Sequence, residues 1–303
     1  MYLRHFALNE QPFNISPDTD FYYDDPSHQD VMNMIMVALR DGSGFIKVVG
    51  EVGTGKTLLC RKLINEMGSG FQIAYLPNPP MSPDELYVAV VRELGIEMAD
   101  SASSYIMLQL ITDKLLSLAK EGIKLVVVLD EAQAMPNESM EALRLLTNLE
   151  TEKSLLLQVV LFGQPELDQH LAQKSMRQLR QRIIFSGGLS SFDKKTFCSY
   201  VEYRVMVAGY SGDKLFSRAA LNILYKSSRG IPRLINIIAH KSLLIAYGKG
   251  RFKVKRSHVR LAAADTEGVT NSSIFTKKLF LILFGALFIS TIIALVILKN
   301  GGV

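Results

Sequence analysis

Runs of apolar residues alternate with amphipathic segments along most of the chain. The apolar runs, bounded by glycine, proline or charged residues, predict β-strands at 45–49, 71–76, 124–129 and 155–162. The segments between them predict helices at 58–67, from 83 onward, at 104–120 and at 138–149. Because the strands are apolar on both faces and alternate with helices, the pattern indicates a parallel sheet covered on both sides.

The pattern changes after a last short strand predicted at 183–185. Helical periodicity then dominates as far as residue 265, so we expect a core at 1–190 followed by a small helical domain at 191–265. Residues 266–278 are mostly polar and suit a linker.

The segment 279–298 contains twenty residues and no charge. A helix of this length, at about 1.5 Å per residue, spans a hydrocarbon core of about 30 Å, so the segment predicts a single transmembrane helix. Lys277 and Lys278 precede it and Lys299 follows it, and the amino terminus has no apolar leader. We therefore expect a single-pass protein of the inner membrane, with the large domain in the cytoplasm and 299–303 in the periplasm.

Composition narrows the class of protein. An apolar fraction of 48% and a charged fraction of 21% in 303 residues are typical of a folded chain and exclude a disordered one. The two cysteines, Cys60 and Cys198, are far apart and lie in no CxxC motif, which excludes a disulfide scaffold and a zinc module.

The positive charge is concentrated in one stretch. Residues 249–260 carry six lysines and arginines and no acid, whereas the net charge of the whole chain is +5, so the remainder is slightly acidic and not a general nucleic-acid binder. Charged and apolar residues alternate at 251–255. Three interpretations stay open: a lysine-protected edge strand, contact with anionic lipid head groups, and nucleic-acid binding. The nearby apolar segment favours lipid over nucleic acid.

A glycine-rich turn follows the first strand and fits the pattern G-x-x-x-x-G-K-[ST] in full. Glycines at 50, 53 and 55 allow the backbone to direct successive N–H groups at phosphate oxygens, assisted by the positive end of the following helix. Lys56 is expected to reach the β- and γ-phosphates of ATP, and Thr57 to ligate Mg²⁺. The predicted nucleotide-binding residues are Gly50, Glu51, Val52, Gly53, Thr54, Gly55, Lys56, Thr57 and Leu58.

Two acidic residues end the third strand. The carboxyl end of a buried parallel strand faces the crevice in which such sheets bind ligands, so Asp130 is expected to hold Mg²⁺ together with Thr57. Glu131 is then placed to polarise the water that attacks the γ-phosphate.

Several longer stretches resemble one bacterial family. Residues 130–133 (DEAQ), 142–151 (ALRLLTNLET) and 155–167 (LLLQVVLFGQPEL), with the opening at 2–23, resemble the ExeA/GspA-type AAA+ ATPases of secretion and pilus assembly. The resemblance covers about residues 1–265. It implies a doubly wound P-loop NTPase core of the AAA+ type, with strand order 5-1-4-3-2, and a helical lid.

The resemblance also implies roles for residues outside the glycine turn. Gln164 takes the position of the sensor 1 residue, whose amide contacts the γ-phosphate or the attacking water. Arg233, in the sequence GIPR at 230–233, matches the sensor 2 arginine of the lid. The family's arginine finger, which acts on a neighbouring subunit, falls among Arg177, Arg180 and Arg182, with Arg182 the first choice and Arg180 the second.

These features predict a membrane-anchored ATPase that forms a homo-oligomer, hydrolyses ATP with Mg²⁺, and supports a type IV pilus or type II secretion machine. ExeA-type members carry a periplasmic peptidoglycan-binding domain after the membrane helix, whereas only 299–303 follow here, so a membrane-protein partner is expected. The alternatives are a DNA-remodelling or transposition helper ATPase and a small-molecule kinase. The apolar segment argues against the first, and nucleic acid is not an expected partner.

Overall fold

A five-stranded parallel sheet forms the centre of the protein. The computed structural model describes residues 1–16, 18–99, 102–150 and 155–266. The strands are β1 (Phe45–Gly50), β2 (Phe71–Leu76), β3 (Lys124–Leu129), β4 (Leu157–Gly163) and β5 (Ile183–Leu189).

The strands lie in the order β2-β3-β4-β1-β5, and every neighbouring pair is parallel. The family resemblance implied this same strand order, so its prediction for the fold is confirmed. Because parallel strands end at the same edge of a sheet, the residues that follow β1, β3 and β4 meet there. That edge carries the glycine turn, Asp130 and Gln164.

Helices connect the strands and then form a second unit. They are α1 (Tyr2–His5), α2 (Pro26–Asp41), α3 (Lys56–Glu66), α4 (Pro83–Glu93), α5 (Ser104–Lys120), α6 (Asn137–Leu146), α7 (Glu166–Leu171), α8 (Arg177–Arg182), α9 (Lys194–Val207), α10 (Arg218–Ser228), α11 (Pro232–Gly248) and α12 (Arg256–Ala264).

The sheet has an apolar core on each face, as the two-sided hydrophobicity of its strands predicts. Alternate residues of β3 divide between the two cores: Leu125 and Val127 pack with α4, α5 and α6, whereas Val126 and Val128 pack with α2 and α3. Buried on both faces, the sheet holds the ends of its strands in fixed positions.

A third core joins the helical second unit to the start of the chain. Tyr2, Phe6, Phe13 and Phe21 are buried among residues of α9, α10, α11 and α12. The amino-terminal residues therefore pack with the helices after residue 192, a connection that the division into 1–190 and 191–265 did not include.

β1 ends at Gly50, one residue beyond its predicted end, and two other strands differ more from their predicted bounds. β4 begins at Leu157 because Leu155 forms an isolated bridge with Glu150 instead. β5 continues to Leu189, beyond the predicted 183–185, because β1 supplies a hydrogen-bonding partner to the weak strand formers Gly187 and Gly188.

The basic stretch is not an edge strand, and that interpretation was wrong. Residues 249–250 form a turn and 252–253 a bend, Val254 makes a single bridge to Phe216, and α12 begins at Arg256. Val254 is buried while its charged neighbours are exposed, so the alternation reflects one anchoring residue in a connection between two helices.

The predicted membrane segment, 279–298, lies outside the described residues. Among the helices that the structure does describe, none has both the length and the apolar character needed to cross a bilayer.

Candidate functional site

The glycine turn connects β1 to α3 and has a backbone that requires glycine. Gly53 has φ of +83° and Gly55 has φ of +103°, in the left-handed region that residues with a Cβ rarely adopt. α3 then begins at Lys56, so its free N–H groups face the turn.

Neighbouring elements also leave no space for side chains at these glycines. A Cβ at Gly53 would lie 2.6 Å from Cβ of Arg233, and one at Gly55 would lie 2.8 Å from Nε2 of His28. At Gly50 it would meet Oγ1 of Thr54 at 2.7 Å. The turn is therefore enclosed by α2 on one side and by α11 on another.

Lys56 is 5% exposed and points back into the turn. Its Nζ donates hydrogen bonds to the carbonyl oxygens of Gly50, at 2.7 Å, and of Glu51, at 3.1 Å. Burial lowers the pKa of Lys56, and the charges of Glu131 and Asp130 offset this only in part. The ammonium lies at the position from which a P-loop lysine reaches phosphate oxygens.

Thr57 and Asp130 form the predicted metal-binding pair. Thr57 Oγ1 donates a hydrogen bond of 2.6 Å to Oδ2 of Asp130, and Oδ1 of Asp130 accepts the N–H of Glu131 at 2.9 Å. A hydroxyl and a carboxylate are the hard oxygen ligands that Mg²⁺ takes from a protein when phosphates supply others. The residues present therefore fit Mg²⁺.

Glu131 is held by two amide side chains. Its Oε2 accepts hydrogen bonds from Nε2 of Gln133, at 2.6 Å, and from Nε2 of Gln164, at 2.8 Å, and its φ of +53° is strained for a residue other than glycine. Burial raises the pKa of Glu131, but the two amides and the charge of Lys56 outweigh burial, so the pKa is lowered. Glu131 is thus an ionised and oriented carboxylate.

Gln133 joins these groups into one network. Besides its bond to Glu131, it accepts the backbone N–H of Gln164 at 3.0 Å through Oε1. The family resemblance implied a role for Gln164 but none for Gln133. The sequence feature that could have predicted its role is its position two residues after Glu131, in the turn that follows β3.

Arg233 connects the helical unit to the glycine turn. It follows Pro232, the first residue of α11, and its backbone N–H donates to the carbonyl oxygen of Gly53 at 3.2 Å. The proline fixes the start of α11, and with it the position of Arg233 at the turn, as expected.

A cleft of about 330 Å³ opens between the glycine turn and the helical unit. The predicted residues Lys56, Thr57, Leu58, Glu131 and Arg233 line it. Sequence reasoning missed several further lining residues: Asn14, Ile15, Ser16, Asp18, Tyr200, Arg204 and Asn236.

The missed residues hold the amino-terminal segment against the second unit. Nε of the buried Arg204 donates to the carbonyl oxygen of Pro12 at 2.6 Å. Asn236 donates to the carbonyl oxygen of Asn14 at 3.1 Å and accepts the hydroxyl of Tyr200 at 2.9 Å. No local motif marks these residues, because each acts through a contact distant in sequence.

The three candidate finger arginines lie on α8, outside the cleft. Arg182 is partly buried and donates from Nη1 to Oγ1 of Thr147 at 2.8 Å. Arg177 and Arg180 are exposed. The structure therefore brings none of the three to the phosphate-binding turn of its own chain.

Comparison with known proteins agrees with this geometry. Residues 39–171 match the family described as AAA domain. The match covers the glycine turn, Asp130, Glu131 and Gln164.

A curated relative extends the similarity beyond the AAA domain. The chain is 38% identical over 291 residues to "General secretion pathway protein A" of Aeromonas hydrophila, which confirms the family resemblance. The match covers 96% of this chain and 53% of the relative, so the chain spans about half the length of that protein.

Solved structures share the fold at low identity. The ORC2 protein of Aeropyrum pernix, in ADPNP and ADP complexes, has a TM-score of 0.63 at 19% identity, covering 86% of this chain and 74% of its own. Cdc6p of Pyrobaculum aerophilum has a TM-score of 0.65 at 18% identity, covering 82% and 71%. These likenesses show the AAA+ fold.

The link between the two units gives a stability prediction. Gly230 has φ of +75°, and a Cβ there would lie 2.1 Å from the carbonyl oxygen of Phe192, whereas Gly95, with φ of +66°, has open space. We expect Gly230→Ala to lower the free energy of unfolding by about 3 kcal/mol and Gly95→Ala by about 1 kcal/mol. The midpoint of thermal unfolding, followed by circular dichroism, should fall by about 8 °C for Gly230→Ala and by about 3 °C for Gly95→Ala. Equal shifts would contradict the packing described.

Proposed function

We propose that the protein is a membrane-anchored AAA+ ATPase that hydrolyses ATP with Mg²⁺ as a homo-oligomer and serves a type IV pilus or type II secretion machine. One observation carries the enzymatic part of the proposal. Lys56, the pair of Thr57 and Asp130, and the oriented carboxylate of Glu131 meet at the carboxyl ends of β1 and β3.

Each of these residues has a distinct task in the proposed mechanism. The N–H groups of the glycine turn and the ammonium of Lys56 bind and orient the phosphates, and Thr57 and Asp130 hold Mg²⁺. When bound, Mg²⁺ supplies positive charge that stabilises the negative charge developing on the phosphate oxygens. Glu131 orients the attacking water and accepts its proton.

The amides that hold Glu131 give it a fixed direction. Gln133 and Gln164 both donate to Oε2, which leaves Oε1 without a hydrogen bond among the described residues. We assign Gln164 a second task, contact with the γ-phosphate or the water, since its side chain lies beside the base. Gln133 is a positioning residue, because it orients Glu131 and the backbone of Gln164.

Movement of the helical unit is the proposed output of hydrolysis. Arg233 contacts the glycine turn through its backbone and is one of the residues that line the cleft. A change at the phosphates therefore reaches α11 directly, and through it the lid proposed at 191–265. The core proposed at 1–190 supplies the catalytic residues.

A neighbouring subunit is proposed to complete the site with an arginine. Arg182 is engaged by Thr147 in its own chain, whereas the side chain of Arg180 is exposed and forms no hydrogen bond or ion pair within the described residues. This difference favours Arg180 over Arg182, the reverse of the order taken from the resemblance.

The oligomer hypothesis predicts that specific ATPase activity rises with protein concentration.

We expect Arg180→Ala to lower turnover in the assembled state by about 100-fold without loss of ATP affinity, and we expect Arg182→Ala to lower turnover less. Phosphate release, measured over a range of protein concentrations, distinguishes the variants. Arg177→Ala is the control on the same helix. Parent turnover by Arg180→Ala would rule this residue out as the finger.

The membrane and cellular parts of the proposal rest on sequence. The charge-free segment 279–298 supports a single inner-membrane span, with the ATPase in the cytoplasm and 266–278 as linker. Within its family the chain resembles the pilus-biogenesis ATPase MshM. Crosslinking in intact cells tests this part. Recovery of a membrane protein of a pilus or secretion machine is expected, and recovery of nucleic-acid proteins alone would contradict it.

A further inference from the structure

Five cations and one exposed aromatic residue lie close together in the sequence where α11 connects to α12. We call this surface the basic tip, and its residues are Lys249, Arg251, Phe252, Lys253, Lys255 and Arg256. None of these residues lines the nucleotide cleft. The proposed ATPase mechanism therefore gives them no task.

The charge of the tip is almost uncompensated. All five cations are exposed, and within the described residues only Lys253 has an ion-pair partner, the exposed Asp213 at 3.6 Å. Burial lowers the pKa of the nearby His258, and the charges of Lys249, Lys255 and Arg251 lower it further. The charges of Lys249, Lys255 and Arg251 thus act on one common side chain.

Phe252 is held in place at this surface although it is 70% exposed. Its ring stacks on that of His5, with centroids 4.2 Å apart and an interplanar angle of 9°. His5 Nε2 also lies 3.1 Å from the carbonyl oxygen of Arg251. An ordered aromatic ring among cations matches the boundary between lipid head groups and acyl chains.

The tip is also close along the chain to the charge-free segment. α12 is nine residues long, and twelve residues, 267–278, separate the last described residue from 279–298. Twelve residues extend at most about 40 Å. A chain anchored through 279–298 would therefore keep the tip at a high effective concentration near the bilayer surface.

We propose that the basic tip binds anionic lipid head groups and that Phe252 enters the membrane interface. The proposal rests on the membrane placement given under Proposed function. Nucleic acid would also attract the cations, but the short connection to the charge-free segment favours lipid. Docking of the tip would fix one end of the helical unit while the AAA domain remains free to move.

The sequence contains no tryptophan, so Phe252→Trp gives the full chain a single fluorescent probe. The chain is reconstituted in nanodiscs of phosphatidylcholine alone or mixed with phosphatidylglycerol. We expect blue-shifted emission and quenching by brominated lipid only with phosphatidylglycerol, both reversed by salt. Tyr105→Trp, an exposed position on α5, is the matched control and should show neither change.

A charge variant tests the cations separately from the ring. Lys249→Gln, Arg251→Gln and Lys255→Gln, combined with Phe252→Trp, should reduce the docking equilibrium constant by about 100-fold. ATP hydrolysis should be unchanged, because these side chains do not line the cleft. A parent-like blue shift in this variant would overturn the role of the cations.

Further outcomes separate the two proposals. If the chain does not enter neutral nanodiscs, the membrane placement is wrong. The emission of Phe252→Trp is then measured with added phosphatidylglycerol vesicles. A blue shift there supports lipid binding by the basic tip, and its absence overturns it. Equal emission in both kinds of nanodisc overturns the lipid proposal. A blue shift of Phe252→Trp emission with duplex DNA, without one in phosphatidylglycerol, also overturns the lipid proposal.

Discussion

Replacement of Glu131 by glutamine is expected to reduce ATP turnover by about 1,000-fold and to leave ATP binding intact. The amide keeps the shape of the side chain but cannot accept a proton from water. Gln133 and Gln164 can still hydrogen-bond its oxygen, so the local structure should persist. Phosphate release and equilibrium binding of a fluorescent ATP analogue measure the two effects.

A matched variant controls for the loss of a negative charge. Glu121→Gln alters an exposed glutamate at the end of α5, and it should hydrolyse ATP at the parent rate. The assignment of Glu131 as the base fails if Glu131→Gln retains more than about a tenth of parent turnover, because base removal typically costs at least 100-fold.

Replacement of Lys56 by alanine is expected to weaken ATP binding by about 100-fold, since the ammonium makes charge-assisted hydrogen bonds to phosphate. Hydrolysis should be lost with it. Within the described residues, this ammonium donates hydrogen bonds only to the backbone oxygens of Gly50 and Glu51, both in the turn. The fold should therefore survive, and circular dichroism should match the parent.

Lys62→Ala provides the control on the same helix. Lys62 forms a surface pair with Glu66, at 2.8 Å, and such pairs contribute at most about 1 kcal/mol. Calorimetric titration with ATP should give parent affinity for Lys62→Ala. Equal affinity of Lys56→Ala and the parent would show that the turn does not bind phosphate.

Much of the sheet could be predicted because its strands are local, continuous apolar runs. β2 and β3 begin and end where the sequence predicts, at Phe71–Leu76 and Lys124–Leu129. The residues 186–188 could not be assigned this way, since a Ser-Gly-Gly sequence has little strand propensity and depends on pairing with β1.

The catalytic residues were predictable for a related reason. The glycine turn, Asp130 and Glu131 each lie directly after a strand, and a parallel sheet brings such positions together. The other wall of the cleft was not predictable. Tyr200, Arg204 and Asn236 lie on helices whose contacts with the amino terminus span about 190 to 220 residues of sequence, as their hydrogen bonds show.

The basic stretch shows the limit of short-range patterns. Alternation at 251–255 is typical of a strand, but strands also need a partner, and only Val254 finds one. The choice among the finger arginines could not be made from a short-range pattern either. The hydrogen bond from Arg182 to Thr147 depends on the packing of α8 near α6.

The most direct test of the central claim is titration of the purified parent chain with ATP in the presence of Mg²⁺, with phosphate release followed in the same samples. Saturable binding of one ATP per chain, with hydrolysis that stops when Mg²⁺ is chelated, is the predicted result. A folded parent chain that binds no ATP at cellular concentrations would contradict the account.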